Sequence, residues 1–387
     1  MSDTEVVGKL SSLDIAARDT QTTPKPRANL SFLDIVDICD NVRIPQSSEG
    51  LSPFDREALV PLYLNESVDS PVIGLLRPAI IEQLKLENER NQQLNLPELW
   101  NLRLRLPLFR ILKSGILGPS VSFRDWVDTP SKRTTAMKEV CERWRDTELF
   151  EDVCGPKKWR SEMYPIYADP FGVHDYPDGS ADETKLNYIF EMERSACALF
   201  GVITYGVHMN IYEEAEISEG KELRVWVPTR ARTKQTWPGY LDNSVAGGIP
   251  SGMSPFESLV KECMEEASLE ADIVRKHTRC VGAISYFFRT AKGWLQPEIE
   301  YVYDLVIPPG ADPTPFEPKP LDGEVESFEL LSQDKVIRKL REGVFKPNCA
   351  LVLIDLFIRL GYVTPDNEPE FMKIVTRLHG RFNYERW

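Results

Sequence analysis

Three glutamates, Glu262, Glu265 and Glu266, lie within five residues of the stretch "AGGIPSGMSPFESLVKECMEEASL" (246–269). At about 100° per residue along a helix, their side chains project within one arc of about 100°. Like charges at this spacing repel each other, so the cluster favours a bound cation. Carboxylates suit Mg²⁺ or Mn²⁺, which keep several waters and take further oxygens from a phosphate. The alternative from these residues alone is a solvated acidic face.

The residues around this cluster predict a helix that follows a glycine turn. Ser254, Pro255 and Glu257 form a capping box with proline at the first helical position. A buried face is predicted at helical spacing, formed by Phe256, Leu259, Val260, Cys263 and Ala267. Before the helix, Gly247 and Gly248 allow the backbone to come close to a ligand.

This stretch resembles the Nudix box, a loop-helix-loop motif written G-x5-E-x7-R-E-U-x-E-E-x-G-U, where U is aliphatic. The leading glycine is Gly247 and the motif glutamates are the same three acids. Three positions differ, because Met253, Lys261 and Ser268 stand where the family has glutamate, arginine and glycine. We expect Lys261 to pair with Glu257 instead, and the helix to end without a residue suited to positive φ at position 268.

The resemblance extends over about residues 30 to 380. "TKQTWPGYLDN", "YFFRTAKGWLQPEIEYVYDL" and "EPKPLDGEVESFELL" are similar to the Nudix part of fungal thiamine pyrophosphokinase fusions. The resemblance implies an α+β chain: a Nudix fold, with a mixed β-sheet sandwiched between helices, preceded by a small α+β domain. It also implies a Mg²⁺- or Mn²⁺-dependent hydrolase of phosphoanhydride bonds. The implied substrates are oxidised or modified thiamine diphosphate and 8-oxo-dGDP.

Further acidic residues are candidate metal ligands. Glu298 and Glu300 lie two apart in a predicted strand, so their side chains share one face, and either one completes a metal shell or both line an exposed strand. Glu324 and Glu326 lie in a loop and strand where many relatives of the family place another carboxylate, with a solvated loop as the stronger alternative. Either Glu262 or Glu266 is expected to act as the catalytic base, and the sequence does not choose between them.

Basic and aromatic residues before the box are candidates for substrate binding. Arg230 and Lys234 belong to a basic run that suits phosphates. Trp237, Tyr240 and Asn243 suit stacking on a flat heterocycle and amide hydrogen bonds, although aromatic residues here are as often part of a core.

Two other functions compete with the hydrolase. A box with three departures also fits a non-catalytic module that binds a diphosphate or a partner. "TWPGYLDN" is similar to a strand and turn of isopentenyl diphosphate isomerase, but the following "NSVAGGIP" lacks the cysteine and histidine which that enzyme needs.

Length and charge limit the remaining possibilities. The 387 residues predict a disordered tail (1–28), an N-terminal α+β domain (29–166), a linker (167–183), the Nudix domain (184–346) and a C-terminal helical extension (347–387). A net charge of −14 argues against nucleic-acid and membrane partners and leaves a small-molecule diphosphate as the expected one. Seven scattered cysteines and the absence of a signal sequence or long apolar run favour a cytoplasmic location.

Overall fold

The computed structural model describes residues 29–42, 54, 57–104, 118–177, 179, 185–217 and 220–382. The predicted tail (1–28) lies outside them. The other predicted domain boundaries stay predictions. Among the described residues, no helix has the length and hydrophobicity required to cross a membrane.

The first part of the chain forms an N-terminal layer, defined here as the described residues between 57 and 202. Its four-stranded sheet has the order β2-β1-β4-β3 and contains β1 (Val60–Tyr63), β2 (Val72–Leu76), β3 (Trp100–Arg103) and β4 (Ser120–Phe123). Its helices are α2 (Pro78–Gln93), α3 (Pro130–Asp146), α4 (Glu151–Cys154) and α5 (Cys197–Phe200). A separate hairpin pairs β5 (Met163–Tyr167) with β6 (Tyr188–Glu193).

The second part is a six-stranded mixed sheet. It contains β7 (Thr204–Ile217), β8 (Gly220–Arg230), β9 (Val245–Gly248), β10 (Thr278–Arg289), β11 (Leu295–Val306) and β12 (Val325–Ser332). The order is β10-β11-β7-β8-β12, and the short β9 pairs with the first half of β7. Strands β7 and β11 are parallel, whereas the other pairs in this sheet are antiparallel.

Helices cover this sheet, in agreement with the predicted α+β architecture. They are α1 (Phe32–Cys39), α6 (Pro255–Ala267), α7 (Ala271–His277), α8 (Gln333–Arg341), α9 (Pro347–Arg359) and α10 (Phe371–Leu378). Helices α6 and α7 bury their apolar residues in one core, while α1, α8, α9 and α10 share another. The N-terminal helix α1 therefore packs with the C-terminal helices, although 300 residues of sequence separate them.

A third core belongs to the N-terminal layer, and one residue from beyond residue 202 enters it. This residue is Trp294, in the turn between β10 and β11. Its ring meets Phe150 edge to face at 5.4 Å between centroids, and its indole N–H donates to Asp152 Oδ2 at 2.9 Å. The layer and the six-stranded sheet are thereby held against each other.

Candidate active site

Helix α6 carries the three glutamates and begins as the sequence predicts. The Ser254 hydroxyl accepts the backbone N–H of Glu257 at 3.3 Å, and Pro255 is the first helical residue. The helix ends at Ser268, which adopts φ +55°. The expectation of a different C-terminal cap is therefore wrong, since serine takes the left-handed conformation that the family gives to glycine. The Ser268 hydroxyl donates to the Lys319 carbonyl at 2.9 Å, which helps to hold this conformation.

Two of the three glutamates face the glycine strand β9. The Glu262 carboxylate lies against Gly247, where a built Cβ would be 2.3 Å from its Cδ. Glu266 is buried, and its Oε2 lies 3.5 Å from the backbone nitrogen of Ala246. Burial raises the pKa of Glu262 to about 7 and the pKa of Glu266 to about 8. Their mutual repulsion adds to the rise for Glu266, so both carboxylates are short of positive charge.

Glu265 lies on the outer side of the helix, with half of its side chain exposed. Lys261 pairs with it at 3.0 Å and with Glu262 at 3.6 Å. The predicted pairing of Lys261 with Glu257 is wrong, because Arg275 of helix α7 holds Glu257 at 2.5 Å. Lys261 therefore takes up part of the charge of the cluster itself.

Glu298 and Glu300 share one face of β11, as the spacing predicts, and both meet the Tyr286 hydroxyl. Burial and the charge of Glu300 raise the pKa of Glu298 to about 7. For Glu300 burial acts in the same direction, but the His208 imidazolium, 3.5 Å away, outweighs it and lowers the pKa to about 2. Glu300 Oε2 is buried and has no hydrogen-bond partner among the described residues.

A cavity of about 480 Å³ lies between the six-stranded sheet and the N-terminal layer. Ala246, Gly247 and Gly248 line it, so the carboxylates of Glu262 and Glu266 lie directly behind its wall. Its acidic lining residues are Asp152, Glu298, Glu300 and Glu324, and its basic ones are Lys158, Arg160, Arg194, Arg230, Lys234, Lys292 and Lys346. Seven basic against four acidic residues make this cavity basic in a chain of net charge −14, which favours an anionic ligand.

A buried group beside this cavity has metal-ligand residue types but is already neutralised by cations. His208, Asp242 and Cys349 place their ligand atoms within 4.8 Å of one another. However, Arg230 donates to Asp242 Oδ2 at 2.5 Å. Burial would raise the pKa of Asp242, yet Arg230 and Lys346 hold it well below its usual range. We therefore assign this group to the internal packing of the sheet and not to a metal ion.

The comparison with known families now decides the fold family. Residues 217–349 match the model of the NUDIX domain. The chain contains a Nudix domain. Before it, residues 105–204 match a domain of unknown function (DUF4743), so the additional N-terminal domain expected from the sequence is present as well.

Curated relatives share both parts of the chain. An uncharacterized protein of Saccharomyces cerevisiae is 38% identical over 62% of this chain and 66% of its own length. Nudix hydrolase 20, chloroplastic, of Arabidopsis thaliana is 34% identical over 65% of this chain and 59% of its own length. Nudix hydrolase 24, chloroplastic, of the same plant is 31% identical over 67% of this chain and 63% of its own length. The chain thus spans just under two thirds of the length of these relatives, two of which are named as Nudix hydrolases.

Of the predicted substrate-binding residues of the Nudix domain, five line the cavity: Arg230, Lys234, Trp237, Gly247 and Gly248. Arg230 is nevertheless occupied within the fold, since its donors also reach the carbonyls of Thr236 and Trp237 at 3.1 Å. Lys234 pairs with Glu324, a residue that the sequence ranked as a loop acid. The charge of Glu324 in turn raises the pKa of Glu262 and that of Glu266, so Glu324 belongs to the acidic cluster.

Tyr240 and Asn243 do not line this cavity, so the predicted contact with a substrate is not supported for them. Tyr240 is buried, with its ring edge to face with Trp237 at 5.1 Å. The Asn243 amide is used inside the sheet: its Oδ1 lies 2.7 Å from His208 Nδ1, and its Nδ2 donates to the Cys349 carbonyl at 3.2 Å. A motif on a turn cannot show which way such side chains point.

Replacing Gly247 by alanine is expected to impair metal binding far more than folding. The new Cβ would displace the Glu262 carboxylate, which is the end of a flexible side chain and can move. Disturbing the environment of a ligand typically lowers metal affinity by roughly 10- to 100-fold. Calorimetric titration with Mg²⁺ or Mn²⁺ measures this loss. Gly118→Ala is the control, since no described residue has an atom within 4 Å of a Cβ there, and equal affinities in both variants would contradict the prediction.

Proposed function

We propose that the chain is a hydrolase that uses Mg²⁺ or Mn²⁺ to cleave the phosphoanhydride bond of a small-molecule diphosphate. One observation carries the proposal: two carboxylates with raised pKa values, those of the partly buried Glu262 and the buried Glu266, lie behind the glycine strand that lines a basic cavity. The cavity volume of about 480 Å³ suits a small-molecule ligand.

The acidic residues present fit a hard divalent cation. Glu262 and Glu266 supply oxygen ligands, and Glu324 lies near both; Lys261, 3.6 Å from Glu262, offsets part of their charge. On the other side of the cavity, Glu298 and the unpartnered Oε2 of Glu300 offer further oxygens. Bound there, the cation would neutralise phosphate oxygens and acidify a water molecule. Glu265 is exposed and paired with Lys261, which favours a supporting contribution over a central one.

Each protein group has a separate task in this reaction. Glu262 or Glu266 takes the proton of the attacking water, because both carboxylates lie against the glycine strand that lines the cavity. The basic residues of the cavity bind the phosphates of the substrate. Tyr286, which bonds both Glu298 and Glu300, keeps these two carboxylates in place.

The proposed substrates are oxidised or modified thiamine diphosphate and 8-oxo-dGDP, which the resemblance to the thiamine-related Nudix group implies. Both combine a diphosphate with a flat heterocycle, and the cavity offers Trp237 and Tyr164 beside its basic residues. The cytoplasmic location remains a prediction.

Phosphate release from oxythiamine diphosphate with Mg²⁺ tests the proposal. We expect turnover that requires the cation and stops when the cation is removed with a chelator. A panel with 8-oxo-dGDP, NADH and ADP-ribose, compared by kcat/KM, identifies the preferred substrate. Tight binding without turnover of any panel member would instead establish the non-catalytic module, in which Met253, Lys261 and Ser268 mark a box that no longer catalyses.

A further inference from the structure

We propose that Arg160 and Arg194, both in the N-terminal layer, form a phosphate-binding wall of the Nudix active site. The inference rests on the proposed function, because it assigns these two guanidinium groups to the diphosphate of the same substrate. It also gives the preceding domain a task, since the domain would add two guanidinium groups to the basic residues that the Nudix domain supplies to the cavity.

The register of the β5–β6 hairpin brings the two arginines together. Met163 pairs with Glu193 at the end of the hairpin, and the backbone N–H of Arg194 donates to the Glu162 carbonyl at 2.8 Å. The buried Glu193 carboxylate then fixes both chain ends, since its Oε1 accepts the backbone N–H of Arg160 at 2.8 Å and that of Ser195 at 3.2 Å. Arg160 and Arg194 thus leave the hairpin side by side.

Arg194 is directed at the glycine strand of the Nudix domain. Its guanidinium lies over the Tyr164 ring at 5.0 Å and pairs with Glu162 at 2.8 Å. A Cβ built on Gly248 would lie 3.4 Å from Arg194 Cζ and would overlap the Tyr164 hydroxyl. Since 43% of the Arg194 side chain remains accessible and the residue lines the cavity, its guanidinium retains donors for a ligand.

Arg160 has no ion-pair partner within 4.0 Å in the part of the chain that the structure describes, although the chain is acidic overall. Its exposed side chain lines the cavity. Desolvation and the nearby charge of Arg194 lower the pKa of Arg160, so a bound anion would relieve a repulsion between two guanidinium groups. Guanidinium binds phosphate oxygens through two parallel hydrogen bonds, which suits this pair to a terminal phosphate.

The hairpin and the segment before it are both hydrogen-bonded to the Nudix domain. Ser251, in the loop before helix α6, donates its backbone N–H to the Met163 carbonyl at 2.9 Å. Gln235 Nε2 donates to the Lys157 carbonyl at 2.9 Å. The positive charge of Arg194 also opposes the rise in the pKa of Glu262 and in that of Glu298. Arg194 and Glu262 also approach adjacent glycines of β9, since a Cβ on Gly248 would lie 3.4 Å from Arg194 Cζ and one on Gly247 would lie 2.3 Å from Glu262 Cδ, so one diphosphate can meet both.

The test measures two quantities on the full chain. The first is the affinity for inorganic pyrophosphate without metal, by calorimetry in the presence of a chelator. The second is the pair of kinetic constants, KM and kcat, for oxythiamine diphosphate with Mg²⁺, which shows whether a substitution changes KM or kcat. Arg160→Gln and Arg194→Gln are expected to weaken pyrophosphate binding and raise KM by roughly 10- to 100-fold each, the value of a charge-assisted hydrogen bond. The kcat is expected to change by less than about threefold, because the contact exists in the ground state as well.

Arg124→Gln is the matched control, since Arg124 is an arginine of the same layer that pairs with Glu98 and lies outside the cavity lining. Arg160→Lys keeps the charge but not the paired donors and is expected to restore only part of the affinity. If Arg194→Gln does not fold, Arg160→Gln decides, because its side chain is exposed. Unchanged pyrophosphate affinity and unchanged KM in Arg160→Gln would overturn the proposal.

The outcomes also separate this inference from the proposed function. In one outcome, wild type hydrolyses no diphosphate while the arginine variants bind pyrophosphate more weakly than wild type does. In that case the wall exists and the proposed hydrolase does not. If wild type hydrolyses its substrate and the arginine variants keep its KM, the hydrolase stands and the wall is refuted. Glu266→Gln serves as the reference for lost catalysis, and is expected to keep pyrophosphate binding because it removes a negative charge near the cavity.

Discussion

Replacing Glu266 by glutamine is expected to lower kcat by roughly 10²- to 10⁴-fold, the usual contribution of a general base, and to weaken cation binding as well. The amide keeps the size of the buried side chain but supplies no negative charge to a cation and accepts no proton. Initial rates of phosphate release at saturating Mg²⁺ measure the first effect. Activity within about threefold of wild type would show that Glu266 lies outside the catalytic machinery.

The same substitution is expected to stabilise the metal-free chain at alkaline pH. The pKa of Glu266 in the folded chain, about 8, lies above its ordinary value of about 4.3. Between these two values the folded state binds more protons than the unfolded state, so the free energy of unfolding falls as the pH rises through this window. The glutamine variant has no such group. Its Tm without metal should therefore exceed that of wild type most clearly at pH 8 to 9.

Glu265→Gln is the control for both effects. Glu265 is one residue away on the same helix, is half exposed, and pairs with Lys261 at 3.0 Å. An exposed pair of this kind contributes up to about 1 kcal/mol, so the free energy of unfolding should change little. The contrast between Glu266 and Glu265 distinguishes a loss at the buried site from a general loss of acidic charge.

The features predicted from the sequence are those with a local physical cause. Helix α6 follows from Ser254 and Pro255 at its start and from apolar residues at helical spacing, and the structure contains it at Pro255–Ala267. Helix α1 likewise starts at a local cap, where Ser31 and Asp34 exchange hydrogen bonds. Glu298 and Glu300 face the same way because strand side chains alternate.

The features missed by the sequence depend on contacts between distant residues. The pairing of His208 with Glu300 joins residues that lie 92 positions apart in the chain. The Arg160–Arg194 wall depends on a hairpin whose strands are separated by a 20-residue connection. Neither arginine belongs to a motif, because each is placed by pairing register and by the buried Glu193. The two arginines can bind one ligand together because the N-terminal layer covers the cavity.

Replacing Trp294 by alanine is expected to lower the free energy of unfolding by about 3–5 kcal/mol, as for other buried aromatic residues. Trp294 is the Nudix-domain residue that enters the core of the N-terminal layer. Besides its contact with Phe150 and its hydrogen bond to Asp152, it lies under the Arg77 guanidinium at 4.7 Å. Chemical denaturation measures the change, and a loss below about 1 kcal/mol would show that the layer is held by other contacts.

Two further variants connect this stability to function. Trp126→Ala removes an exposed tryptophan of the same layer, whose indole N–H donates to the Glu98 carbonyl, and should cost at most about 1.5 kcal/mol. Trp294→Phe keeps an aromatic ring against Phe150 but loses the bond to Asp152, so an intermediate loss is expected. Because Trp294 holds the layer that carries Arg160 and Arg194, Trp294→Ala should also raise KM for the diphosphate at temperatures where the chain is still folded. Trp126→Ala should leave KM unchanged, because it does not shift the layer relative to the Nudix domain. Only such a shift moves the arginines away from the substrate.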